Sequence, residues 1–203
     1  MKGRVAVIVA MVSLASAPAY AQKSRILNSG HDLRTNPAVG DACIACHTPH
    51  NANTSYQPLL WVRAVRTTGY QVYDSTVNPD FAGGTVDITG GNRVSLLCMS
   101  CHDGGAALNV NWQGQTNTAL KGGVITGTSL LGQDMRNDHP IGFVYANSVT
   151  AKPADYNATP TAPVKVFAGR VECASCHNAH DGTAANFLVR NNDNSALCLS
   201  CHK

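Results

Sequence analysis

The sequence predicts a mostly irregular, coil-rich chain with short helices at four C-x-x-C-H motifs, built as two copies of one plan. Three observations lead there. The motifs and their flanks repeat in order, aromatic residues make up only 6% of 203 residues, and 18 glycines interrupt most periodic stretches. A chain so poor in large apolar side chains cannot offset its conformational entropy from its own core. Bound groups with large apolar faces would have to supply the missing surface.

The repeat is read directly from the residues. One copy runs Cys43-Ile44-Ala45-Cys46-His47-Thr48-Pro49-His50, then Leu59-Leu60-Trp61-Val62-Arg63, then Cys98-Met99-Ser100-Cys101-His102. The other runs Cys173-Ala174-Ser175-Cys176-His177-Asn178-Ala179-His180, then Asn186-Phe187-Leu188-Val189-Arg190, then Cys198-Leu199-Ser200-Cys201-His202. An upstream histidine precedes each, His31 in one and His139 in the other. Self-similarity of this kind marks a duplicated supersecondary unit. The expected division is a signal peptide at 1–21, a first module at 22–105, and a linker loop with a second module at 106–203.

The elements follow in chain order. Residues 1–21 have a basic start at Lys2 and Arg4, a short apolar stretch and the small-residue site Ala19-Tyr20-Ala21, as an export signal requires. Residues 70–73 and 84–88 alternate weakly and predict a short hairpin. Residues 96–101 and 194–201 have plausible helical starts. Residues 148–163, rich in Pro, Thr and Ala, read as an extended loop. No stretch after the signal is long and apolar enough for a transmembrane helix.

Each C-x-x-C-H is the attachment signature of a c-type haem. The two thiols add to the vinyl groups on one porphyrin edge, and the following histidine meets the iron. The expected attachment residues are Cys43 and Cys46, Cys98 and Cys101, Cys173 and Cys176, and Cys198 and Cys201. The proximal ligands are His47, His102, His177 and His202. Disulfides or a zinc ribbon would use the eight cysteines, but neither explains a histidine after every pair. Four covalent haems make the fold class more specific: two repeated dihaem modules wrapped around a haem chain.

The four remaining histidines, His31, His50, His139 and His180, match the four open axial positions. His50 stands three residues after His47, and His180 three after His177, so neither reaches the far face of its own iron. Each is expected to serve a neighbouring haem. Met99 sits inside a motif, and Met135 is a substitute ligand that the histidine count does not require. Trp61 and Phe187 are expected on haem faces, with Arg63 and Arg190 at propionates or in solvent. Asn53-Thr54-Ser55 and Asn157-Ala158-Thr159 match a glycosylation pattern that arises often by chance.

Loss of Lys2 and Arg4 with the signal leaves thirteen basic residues against twelve acidic ones, before propionates add negative charge. No basic stripe is present, so a nucleic-acid partner is not expected. Full bis-histidine ligation leaves no open iron and argues against an enzyme such as a multihaem reductase. Electron transfer is the expected work.

Ser29-Gly30-His31-Asp32-Leu33, Cys43 to Asn51, Ser95 to Gly104, Asp138-His139-Pro140-Ile141-Gly142 and the terminal Leu197 to Lys203 resemble the tetrahaem extracellular cytochrome filaments, or nanowires, of the OmcE type. The resemblance does not extend to 64–94 or 105–135. It implies a homopolymer around a continuous haem chain, with upstream periplasmic or outer-membrane cytochromes as donors and extracellular acceptors. It also implies that one distal histidine comes from the next subunit, a role expected of His31. Related cytochromes share the motifs without polymerising, so a discrete periplasmic shuttle is the second expectation.

Overall fold

The computed structural model describes residues 24–38, 40–56, 59–90 and 94–203. The signal peptide expected at 1–21 lies outside them. Among the described residues the chain is mostly turns and coil, with isolated bridges in place of strands. Besides a helical turn at 24–26, the described residues form the short α-helices α1 (Val94–His102), α2 (Tyr145–Ala151) and α3 (Cys173–Cys176). Short 3-10 turns occur at Ala42–Ala45, Thr54–Tyr56, Gly127–Ser129, Ala185–Phe187, Asp193–Ser195 and Cys198–Ser200. None of these helices is long and apolar enough to cross a membrane.

Apolar packing is confined to small clusters. Ile88, Met99 and Met135 form one, flanked by Tyr70, Val72 and Ile141. Phe143, Tyr145 and Val171 form another. Met135 is therefore a core side chain at 4% exposure. Hydrogen bonds carry much of the remaining organisation, and many buried residues are polar.

Helix α1 forms because Ser95, Leu96, Met99 and Ser100 fall on one face and are all buried. It stops where Gly104, at φ +72°, donates its N–H to the Cys101 carbonyl at 3.1 Å. Glycine takes that left-handed conformation without a Cβ penalty. Helix α3 starts with a capping box. The Glu172 side chain accepts from the Ser175 N–H, and the Ser175 hydroxyl accepts from the Glu172 N–H at 3.0 Å.

Three elements differ from expectation. The hairpin does not form, because both of its segments pair elsewhere. Gln71 joins 133–135 and Asp87 joins Gly142 through backbone hydrogen bonds. The 194–201 segment makes two separate 3-10 turns, since Asn194 and Ser195 have positive φ. The loop expected from 148 begins inside α2, which Ser148 anchors as a buried residue.

Candidate functional site

All four motifs share a local device that sequence reasoning missed. The residue before each second cysteine is small and nearly inaccessible: Ala45 at 1%, Ser100 at 2%, Ser175 at 1% and Ser200 at 1%. Ser100 and Ser200 turn their hydroxyls onto the carbonyls of Leu97 and Ala196. The signal was legible as a small residue in the same slot four times. None of the eight cysteines is in a disulfide, as covalent attachment requires.

The histidines after the motifs are oriented by backbone carbonyls. The Nδ1 of His47 pairs with the Leu59 carbonyl at 2.6 Å, that of His102 with Ser129 at 2.7 Å, and that of His177 with Asn186 at 2.7 Å. A carbonyl can only accept, so each pairing places the proton on Nδ1 and leaves the Nε2 lone pair free for a metal. His202 is held differently, by a bridge to Tyr156 and by the Tyr156 ring at 4.8 Å.

The two copies reproduce one hydrogen-bond pattern. Val62 donates to Cys46 and Val189 to Cys176, both at 2.9 Å. Thr48 donates to Leu60 and Asn178 to Phe187. The apolar-Arg segment is thus a backbone partner of the motif, and it supplies the carbonyl that orients the histidine. Trp61 lies edge-on to His47, with ring centres 5.8 Å apart, and Phe187 packs on His31 at 4.2 Å.

Three histidine pairs face one another across gaps of similar size. Ring centres are 6.2 Å apart for His31 and His102, 6.0 Å for His47 and His180, and 6.4 Å for His139 and His202. The planes are nearly parallel in His47/His180, at 17°, and nearly perpendicular in the others, at 81° and 80°. Among the described residues no ring contact joins the remaining two, and the His50 side chain is exposed. Burial pushes His31 below the usual imidazole range, which favours the neutral ring a metal needs. Among the described residues its buried Nδ1 has no hydrogen-bond partner.

Within the chain His31 faces His102. The segment carrying it is tied back: Gly182 donates to the Arg25 carbonyl at 3.2 Å, and Arg25 pairs with Asp181 at 2.6 Å. A Cβ on Gly182 would meet the Arg25 carbonyl oxygen at 2.9 Å, so the close approach depends on glycine. Next to His31, Asp32 and Arg34 form a buried two-bond fork, both at 2.8 Å. The Arg34 guanidinium holds the Asp32 carboxyl well below the usual range.

Arg63 also departs from expectation. It is 1% exposed and donates to the carbonyls of Ala45 at 2.7 Å, Val110 at 2.8 Å, Ala107 and Leu108. Burial leaves it neither solvated nor open to a propionate. Arg190, its repeat equivalent, is half-buried and reaches the Ser200 hydroxyl at 3.2 Å. Neither sequon amide is idle: Asn53 Nδ2 donates to the Arg63 carbonyl and Asn157 Nδ2 to the Leu199 carbonyl.

The two halves meet at α1 and α3. Ser95 donates its N–H and its hydroxyl to Glu172, and the Cys173 N–H donates to the Ser95 hydroxyl at 3.0 Å. The Cys98 and Cys173 thiols are close enough to perturb each other, Cys173 pushing Cys98 up and Cys98 pulling Cys173 down. Attachment points of different motifs are therefore neighbours in space.

Residues 165–203 match the doubled CXXCH motif family, a stretch that contains both motifs of the second copy. No curated protein matches the chain. The motifs indicate covalently bound c-type haem, and the doubled motif supports a multihaem c-type cytochrome that transfers electrons.

Proposed function

We propose that the chain carries four bis-histidine haems and conducts electrons outside the cell as the subunit of a filament. The observation that carries the haem count and ligation is the facing of three histidine pairs at 6.0–6.4 Å. A metal–imidazole bond of about 2.0 Å, with about 1.1 Å more to the ring centre, puts two axial imidazoles about 6 Å apart across one iron. The pairs match that span. Haem supplies one-electron redox chemistry when bound, and the protein supplies axial ligands, orientation and insulation.

The ligand sets are His102 with His31, His47 with His180, and His202 with His139. His177 takes His50 by the relation between the copies. The exchange that turns His47 into His177 also turns His180 into His50, so the fourth pair mirrors the second. All eight histidines are then used and no iron is left open, so the protein is an electron carrier and not an enzyme.

Polymerisation rests on the OmcE-type sequence resemblance. The same resemblance implies a distal histidine supplied by the next subunit, a role proposed for His31, which in the single chain faces His102. Secretion follows from the signal at 1–21 and from the oxidising compartments in which c-type haems are attached. Electron microscopy of the holoprotein tests the filament: ordered thin fibres support it. Discrete particles that persist on concentration favour the periplasmic shuttle.

A further inference from the structure

We propose that Arg63 makes the first two haem sites easier to reduce than those of the second half, through a fixed buried positive charge. The inference rests on the haem reading above and adds an asymmetry to it. The chain places equivalent arginines in the two copies, yet treats them oppositely. Arg63 is 1% exposed, while Arg190 is half-buried and reaches the Ser200 hydroxyl.

The location of Arg63 decides what its charge acts on. Its Nε donates to Ala45, which lies between Cys43 and Cys46. Its two Nη atoms hold the carbonyls of Ala107, Leu108 and Val110, on the segment that follows Cys101 and His102. One guanidinium therefore stands beside the attachment points of two motifs.

No carboxylate balances it among the described residues. The partners of Arg63 are neutral carbonyls, and Asp103, near Cys101, is paired with Arg66 at 3.1 Å and with the Tyr70 hydroxyl. Beside Cys173 the buried side chain is Glu172, which accepts from Ser95 and Ser175 and faces no cation among the described residues. Of the two equivalent arginines, the fully buried one thus lies in the first half.

Reduction removes one positive charge from a haem iron, so a nearby cation favours the reduced state. The effect grows as the effective dielectric falls. Burial also shields it from salt, which screens exposed charges beyond about 10 Å at 0.1 M ionic strength. A guanidinium cannot shed its charge in a protein, so the bias holds at every working pH. Electrons entering the second half would run downhill toward the first.

The test is an optical redox titration of the full holoprotein and its variants. Arg63→Gln is expected to lower the two highest of the four potentials, while Arg63→Lys and Arg190→Gln leave them in place. Where the glutamine variant does not mature, citrulline at position 63 decides, since it keeps the planar fork and its N–H donors without the charge. Superimposable titrations of a neutral variant and the wild type, each with four low-spin haems, would overturn the inference. A wild type lacking four low-spin haems would instead remove the haem reading beneath it.

Discussion

His47 and His180 stand far apart in the chain, yet their rings lie 6.0 Å apart with planes inclined by only 17°. Each is three residues from another histidine of the same motif, and the pair crosses from one copy to the other. The relationship ties the two halves side chain to side chain, independently of the small apolar clusters.

His180→Ala removes one partner of that pair. One of four irons is expected to become five-coordinate or high-spin, with carbon monoxide binding to about one quarter of the reduced haem. His31→Ala and His139→Ala should each do the same at a different iron. Magnetic circular dichroism counts the high-spin fraction, and four low-spin irons in His180→Ala would refute the assignment.

The ring planes predict inequivalent irons. Nearly parallel imidazoles at His47/His180 should give a rhombic low-spin electron paramagnetic resonance signal with three resolved g values. Nearly perpendicular rings at His31/His102 and His139/His202 should give signals with one very large g value. A spectrum with one uniform rhombic species would contradict these orientations.

Glu172 clamps α1 to α3 from a site only 1% exposed. Glu172→Ala leaves the N–H groups of Ser95 and Ser175 without their acceptor, at a cost of roughly 1–3 kcal/mol for each buried group that stays unpaired. A lower midpoint in denaturant is expected, and an unchanged midpoint would mean that the clamp is not needed.

Asp32 provides a pH test. Its folded pKa is depressed by Arg34, so its contribution is present above the ordinary carboxylate range and lost as pH falls through the depressed value. Asp32→Asn should lose stability at neutral pH and show less further loss in acid than the wild type. Parallel acid curves for the two proteins would refute this role.

Gly142→Ala is expected to destabilise the His139 loop. Gly142 has φ +78°, and an added Cβ would meet the Asp87 carbonyl oxygen at 2.8 Å and Ile88 Cγ2 at 2.6 Å. Strain of about 1–3 kcal/mol should appear as lower thermal stability.

The irregular fold, the four motifs and the repeat were legible in the sequence, because C-x-x-C-H imposes local geometry wherever it occurs. The pairing of histidines was not, since it depends on how long loops return. His31 shows this: its position near the start does not report that Arg25, upstream of it, pairs with Gly182 and Asp181. Arg63 and Arg190 have the same sequence context, and only tertiary packing separates a buried charge from a half-exposed one. The residues at 70–73 alternate as a strand would, but their partners came from distant segments, which periodicity does not report.

Intact mass and carbon monoxide binding of the reduced wild-type holoprotein, measured on one sample, test the central claim most directly. The account predicts a mass increment of four haems and no appreciable carbon monoxide binding at neutral pH. Fewer than four haems, or stoichiometric binding at any iron, would contradict a complete set of histidine pairs.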